Sequence, residues 1–329
     1  MTPMRRRHVV LICVAASAAA VVRFVGSHPR PAPPPAVLRG GPSKSAHRSE
    51  VLVLSPVRGT NPRRSARFAA NLASLTYPAA LLHVAVLVVE AERRLVEETL
   101  APLRSLGLAS VSVYVEPASL ARMNLNQRES VRHAEANQVA RRAAIARARN
   151  HLMHVALGTR PTVQWCLWLD SDLLAFPPQL VQLLMAPANA TDTRGLVEPE
   201  IVVPVCRCSG SGSCGSSVYD RNSWQETDVS LTSHAHTPDQ RALFEGYHES
   251  GRLHLDDLER QRDKLDGPLV PVHGVGATCI LIKADLHRQG AVFPPFVLGH
   301  AIESEGLAQL LLRMGVTPYA NLDVTITHA

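Results

Sequence analysis

The stretch that most restricts the fold runs from Val163 to Phe176. There an apolar run stops abruptly at Asp170-Ser171-Asp172, turns apolar again and meets Pro177-Pro178. A short apolar run with two Trp and a turn behind it predicts a buried strand over Gln164–Leu169. Such a strand delivers its last residues to the carboxyl edge of a sheet, where open α/β folds bind ligands. Side chains two apart on an extended chain point the same way, so Asp170 and Asp172 are placed to converge on one cation. Hard divalent ions such as Mg²⁺ or Mn²⁺ take oxygen ligands, commonly a carboxylate or two completed by water and substrate phosphate. The arrangement points to a metal held between protein and a diphosphate.

The chain around this strand alternates strand and helix. Val51–Pro56 reads as a strand, Ser55 to Pro62 as the loop after it, and Arg63–Leu75 as a helix closed by Tyr77-Pro78. His83–Val89 is a second strand, Ala91–Leu106 a helix stopped at Gly107, and Ala109–Val115 a third strand. That alternation predicts a parallel sheet with crossover helices. Asn126 with Glu129 three residues on caps a long helix running to Gly158. It carries Arg141, Arg142, Arg147 and Arg149, read as a solvated basic face, with Arg149 the one placed to reach phosphate. Pro178–Met185 is a short helix, Ile201–Val205 a strand, and Leu269–Lys283 strand-like, with Gly274 and Gly276 admitting close backbone approach. Tyr219–Thr227 gathers aromatic, acidic and amide groups of the kind that hold sugars, although composition alone favours a loop anchored by a buried Trp. Glu303 and Glu305 open a helix through Leu312 that stops at Gly315; two acids in a first turn serve the helix dipole as readily as catalysis.

Charge is unevenly placed. Eight Lys or Arg and no acid precede Glu50, so subtracting them from the formal +6 leaves the body at −2. A body that is not basic excludes nucleic acid as the partner. Arg5-Arg6-Arg7 precede an apolar segment, Val9 to Gly26, whose 18 residues just span a thin bilayer with Arg23 near one end. Residues 1–7 read as a cytosolic tail, 8–26 as an uncleaved signal anchor and 27–49 as a Pro-rich stem, with 50–329 one lumenal domain. A cleaved signal peptide is the rival, since Ala16-Ser17-Ala18 resembles a cleavage region; both send the body into the secretory lumen. Cys166 and Cys279 read as core residues, and Cys206, Cys208 and Cys214 as a source of one loop disulfide. Asn189-Ala190-Thr191 is a glycosylation sequon. Gly210–Gly215 matches G-x-G-x-x-G, but no helix-forming segment follows, so the dinucleotide reading fails; no P-loop motif occurs either.

In order along the chain, VLVLSPVRG with LTYP, RARN, WLDSDLLAFP, YDRNSWQET, EGYHE, GVGATCILIKADLHRQGAVFPPF and ESEG resemble glycosyltransferase family 62. These are the fungal Golgi α-mannosyltransferases that build mannan, and the resemblance covers about Val51 to His328. It implies a GT-A fold, a Rossmann-like mixed sheet flanked by helices, as a single catalytic domain behind the membrane anchor. It implies GDP-mannose as donor, a mannose-containing glycan as acceptor and other mannosyltransferase subunits as partners, in a single-pass type II Golgi protein. Carried over by position, Asp170, Asp172 and His328 hold Mn²⁺ (or Mg²⁺). Ser55, Pro56, Arg58 and Gly59 contact the nucleotide, and Asp220, Asn222, Trp224, Glu303 and Glu305 line the donor-sugar and acceptor site. The implied activity is mannosyl transfer with retention. The alternatives are a non-catalytic lumenal scaffold subunit and a GT-A transferase with another nucleotide sugar. The chain departs from the family's pattern at His273, where an acid is usual before Gly-Val-Gly, at Ala277 in place of a further Gly, and in the less aromatic segment before His328.

Overall fold

Four strands of nearly continuous apolar sequence make the centre of the molecule: β1 (Val51–Pro56), β2 (Leu82–Val88), β3 (Ser110–Val115) and β4 (Trp165–Leu169). Strands with that composition need cover on both faces. Helices α1 (Pro62–Ala73) and α2 (Arg93–Arg104) supply it on one side, packing Phe68, Leu72, Val96, Leu100 and Leu103 against Val51, Val53, Val84 and Val86. The long helix α3 (Glu135–Leu157) supplies it on the other, with Ala146, Leu152, Met153 and Ala156 against Leu52, Leu54, Ala85 and Trp168. Each fully buried Leu or Val here contributes about 1.5–3 kcal/mol. α1 starts where its sequence says it should: the Asn61 side chain accepts the Arg64 N–H at 3.0 Å and Pro62 follows.

This is a computed structural model. It describes residues 49–59, 61–121, 135–186, 191–192, 195–196, 198–209, 218–237, 239, 242–244 and 250–328, all within one compact unit, Gly41–Ala329. The anchor segment 8–26, nearly all of the stem, the Asn126 cap, the Asn189 sequon, Cys214 and the GSGSCG run lie outside those residues. Among the described residues no helix is long and apolar enough to cross a membrane.

The remainder extends the sheet. After β5 (Leu173–Ala175) and α4 (Leu180–Met185) come β6 (Ile201–Cys208), α5 (Asp228–His236), β7 (Leu269–Pro271), β8 (Cys279–Lys283), α6 (Glu303–Arg313) and β9 (Tyr319–His328). The nine strands named here form one sheet in the order β7-β9-β6-β8-β4-β1-β2-β3, with β5 paired to β9. β1 to β4 run parallel, as the alternation predicts. β8 lies antiparallel between β4 and β6, and β9 is parallel to β6 but antiparallel to β7, so the fold is mixed α/β around a mixed sheet.

Leu269–Lys283 is not one strand. Leu269–Pro271 pairs with β9 at the edge and Cys279–Lys283 sits centrally, because the residues between them turn to meet the Asp220–Trp224 segment. A Cβ on Gly274 would stand 2.3 Å from the Trp224 ring and one on Gly276 2.0 Å from the Asp220 carboxylate, so glycine is what admits the approach. The segment before His328 is a ten-residue strand whose Leu322, Val324, Ile326 and His328 are buried while Asp323 and Thr325 face out. Cys166, Cys206 and Cys279 are buried free thiols and Cys208 is disulfide-bonded, so Cys206 belongs to the core rather than to the loop disulfide.

Candidate active site

β1 and β4 are parallel neighbours in a register that sets Leu54 beside Trp168, so the residues following both strands emerge at one edge. Ser55 is fully buried there and its Oγ has no hydrogen-bond partner. Pro56 is half-buried beside it, Arg58 is ion-paired with Glu116 just past β3, and Gly59 turns the chain at φ +60°. Just past β4 the Asp170 N–H donates to the Thr278 carbonyl at 3.0 Å, which fixes the start of β8 against the aspartates.

Three carboxylates meet at this edge. Asp170 Oδ1 lies 3.0 Å from Arg149 Nη2, and Asp172 Oδ1 lies 3.1 Å from Nε2 of His328, near the end of β9. The Tyr219 ring stacks on His328 at 3.7 Å and 9°, holding the imidazole in place. Asp220 Oδ2 accepts the Thr278 hydroxyl at 2.9 Å and its N–H at 3.3 Å, and Oδ1 accepts the Asn222 N–H at 3.1 Å. Burial drives the Asp170 carboxyl up from 3.8 to about 7; Arg149 opposes this, while Asp172, Glu303 and Asp220 add to it. Burial also pushes Asp172 up, but the hydrogen bond and charge of His328, then the charge of Arg64, hold it below the usual carboxylate range. The edge carries more negative charge than its arginine neutralises.

Behind the edge lies a second acid cluster. Arg142 and Arg149 are seven residues apart on α3, two turns along one face. Arg142 Nη1 binds Glu305 Oε2 at 2.6 Å, and Nη2 donates to the Ile302 carbonyl at 3.1 Å. The Trp224 indole N–H donates to Glu305 Oε1 at 2.6 Å, and Arg252 stacks 3.5 Å over the Trp224 ring while pairing with Glu226 at 3.4 Å. Glu303 sits between the two groups, 3.3 Å from Arg149 Nε and 3.9 Å from Arg142 Nη2.

Several sequence expectations change here. Arg142 is 4% exposed rather than on a solvated face, because the acids that hold it come from α6 and the α3 surface beneath it is alanine-rich. Trp224 is fully buried under Arg252 and gives no face to a sugar; it is the loop's anchor. Glu305 is fully buried and held by Arg142 and Trp224, so it has no open side toward a reacting atom. His273 accepts the Glu226 N–H on Nδ1 at 3.1 Å, and burial lowers its pKa, with Arg252 adding to that and Glu226 opposing it. Arg252 and Thr278 were missed. Their partners lie far off in sequence and neither sits in a spacing that announces chemistry.

Among the described residues no three His, Cys, Asp or Glu side chains already stand as a metal cluster, since Asp172 is bonded to His328 and Asp170 to Arg149. The donor set still fits a divalent cation. It offers two carboxylates about 30% exposed and one imidazole, in an environment that disfavours the charge on Asp170.

A family model, Anp1, matches residues 37–297. The chain belongs to the Anp1 family, that of fungal mannan polymerase complex subunits. The Schizosaccharomyces pombe mannan polymerase complex subunit mnn9 is 30% identical over 279 residues, 82% of this chain and 77% of that one. The Candida albicans subunit MNN9 is 32% identical over 209 residues, 62% of this chain and 53% of that one. The VAN1 subunit of Saccharomyces cerevisiae mannan polymerase I is 31% identical over 206 residues. This Anp1-family chain thus spans about three quarters of the first relative but 53% of the second and 36% of the third. Among solved structures it is similar to GalNAc-T7 with UDP, GalNAc and Mn²⁺, at a TM-score of 0.49 and 14% identity, over 85% of this chain and 44% of that one.

Proposed function

We propose that this chain is a metal-dependent retaining glycosyltransferase that moves α-mannose from GDP-mannose to a mannan or N-glycan acceptor. The observation that carries the reading is the surplus of carboxylates at the sheet edge, with Asp170 pushed up to about 7 although Arg149 is beside it. The relatives' names, subunits of mannan polymerase complexes, support mannose as the sugar and further subunits as partners. Asp170, Asp172 and His328 would hold Mn²⁺ (or Mg²⁺), which when bound supplies Lewis-acid stabilisation of charge on the departing diphosphate.

The chain's own groups do the rest. Ser55 to Gly59 would take the nucleotide, and the orphaned Ser55 hydroxyl is a buried polar group that a ligand atom would satisfy. Arg149 brings guanidinium donors to the phosphates. Asp220 and Asn222 would orient the donor sugar, Asp220 being fixed by Thr278. With Glu305 enclosed, we favour same-face attack in which a β-phosphate oxygen takes the acceptor proton, so that Glu305 holds architecture. The domain would lie in the Golgi lumen, behind an anchor at 8–26 and a stem at 27–49.

A second reading is a scaffold subunit without turnover, and Arg149 occupying Asp170 is the observation in its favour. A panel of nucleotide sugars tested for Mn²⁺-dependent hydrolysis separates the possibilities. Consumption of GDP-mannose with Mn²⁺, and none with chelator, is expected. A preference for UDP-sugars would reject the donor assignment, and metal-dependent GDP binding without any turnover would favour the scaffold.

A further inference from the structure

We propose that Glu303 is a positioning residue for Arg149, taking over its guanidinium when a divalent cation takes Asp170. The inference rests on the metal-dependent reading above and adds what happens to the arginine already there. Arg149 Nη2 is 3.0 Å from Asp170 Oδ1, so this carboxylate cannot serve a cation in the same way without expelling a positive neighbour. The receiving group is in reach: Arg149 Nε is 3.3 Å from Glu303 Oε1. Yet both of those atoms are buried and neither makes a hydrogen bond. Two buried charged atoms that form an ion pair without a hydrogen bond keep unmet hydrogen-bonding capacity, which a closer alignment of the two would satisfy.

The backbone of Glu303 points the same way. It has φ +57°, a left-handed conformation that a residue with a Cβ seldom adopts, and such strain persists where the surroundings enforce it. Its N–H is fixed to the Pro294 carbonyl at 3.1 Å, Arg142 stands 3.9 Å from its other oxygen, and the residue is only 6% exposed. Asp170, by contrast, keeps 30% of its side chain open to solvent, where a cation can arrive. Glu303 is the held end of the exchange and Asp170 the free end. A cation at Asp170 favours the Glu303-bound arginine, and an arginine released from Asp170 keeps donors for phosphate, which couples cation and nucleotide binding.

Two measurements test this on the full chain. The first is a structure of the wild type with Mn²⁺ and GDP. The expected result is Arg149 withdrawn from Asp170 beyond ion-pair distance, with Nε hydrogen-bonded to Glu303. Mn²⁺ bound with Arg149 still on Asp170 would overturn the proposal. The second is calorimetry of Mn²⁺ and of GDP with E303Q, R149A and the double variant. E303Q should weaken Mn²⁺ binding on the order of tenfold and have no further effect on it once Arg149 is Ala. Additive losses in the double variant, or equal loss of GDP binding without metal, would mean a merely structural role and would reject the exchange. A wild type that binds GDP without regard to Mn²⁺ would instead reject the metal-dependent reading itself, so the two failures are distinct.

Discussion

Glu305 and Asp170 are acids at neighbouring clusters, and both face an arginine from the same helix. Glu305 is fully buried, with Arg142 at 2.6 Å on one oxygen and the Trp224 N–H at 2.6 Å on the other. Asp170 has Arg149 at 3.0 Å, but Asp172, Glu303 and Asp220 crowd it electrostatically and part of it meets solvent. The first acid has its charge matched and its geometry closed. The second has charge left over and an open side. A carboxylate of the first kind holds elements together, whereas one of the second kind waits for a cation. Sequence position alone left Glu305 even between the helix dipole and catalysis, since it sits in a motif and in a helix's first turn.

Breaking the closed cluster should have the largest effect. Glu305→Ala leaves Arg142 without its carboxylate in the core and is expected to cost about 3–5 kcal/mol in denaturant unfolding. If its loss is below about 1 kcal/mol, as for an exposed pair, the contrast with Asp170 collapses. Trp224→Phe removes one hydrogen bond to a charged oxygen while keeping a ring under Arg252, and should cost about 1.5–3 kcal/mol by the same assay. The last effect belongs to Asp170, and it depends on pH. Its pKa is raised in the folded state, so its contribution is fully present below the ordinary 3.8 and is lost as pH rises through about 7. Asp172 runs the opposite way, its contribution being lost as pH falls through its lowered value. The melting temperature of metal-free Asp170→Asn relative to the wild type should therefore rise between about pH 4 and about pH 7. Parallel pH profiles would remove the claim that Asp170 is over-charged.

Much of the sheet was legible because its signals are local. VLVLSP is β1 to the residue, and the apolar run before Asp170 is β4 within one residue of the expected start. Leu269–Lys283 misled because both ends are strand-like, while the break between them depends on Asp220 and Trp224, some fifty residues earlier. β9 was missed although Leu322, Val324, Ile326 and His328 alternate with exposed residues; the polar Asn321 and Asp323 weaken the pattern and its ladder partner is β6. Arg142 was read as solvated because α3 is rich in alanine and arginine with few long apolar side chains. Alanine faces let the helix pack close to the sheet, and that carried Arg142 and Arg149 inside while Arg147 stays exposed. At the site, spacing gave Asp170 and Asp172, and the resemblance gave His328. What no spacing could give was that Trp224 and Glu305 close on each other, since that contact joins residues 81 positions apart.

The central claim is that Asp170 and Asp172 hold a cation that in turn helps to hold a nucleoside diphosphate. Titration calorimetry of GDP into the wild type and Asp172→Ala, with Mn²⁺ and with chelator, tests it most directly. The account predicts GDP binding strengthened by Mn²⁺ in the wild type and indifferent to Mn²⁺ in Asp172→Ala. GDP binding that neither the metal nor the substitution changes would contradict it.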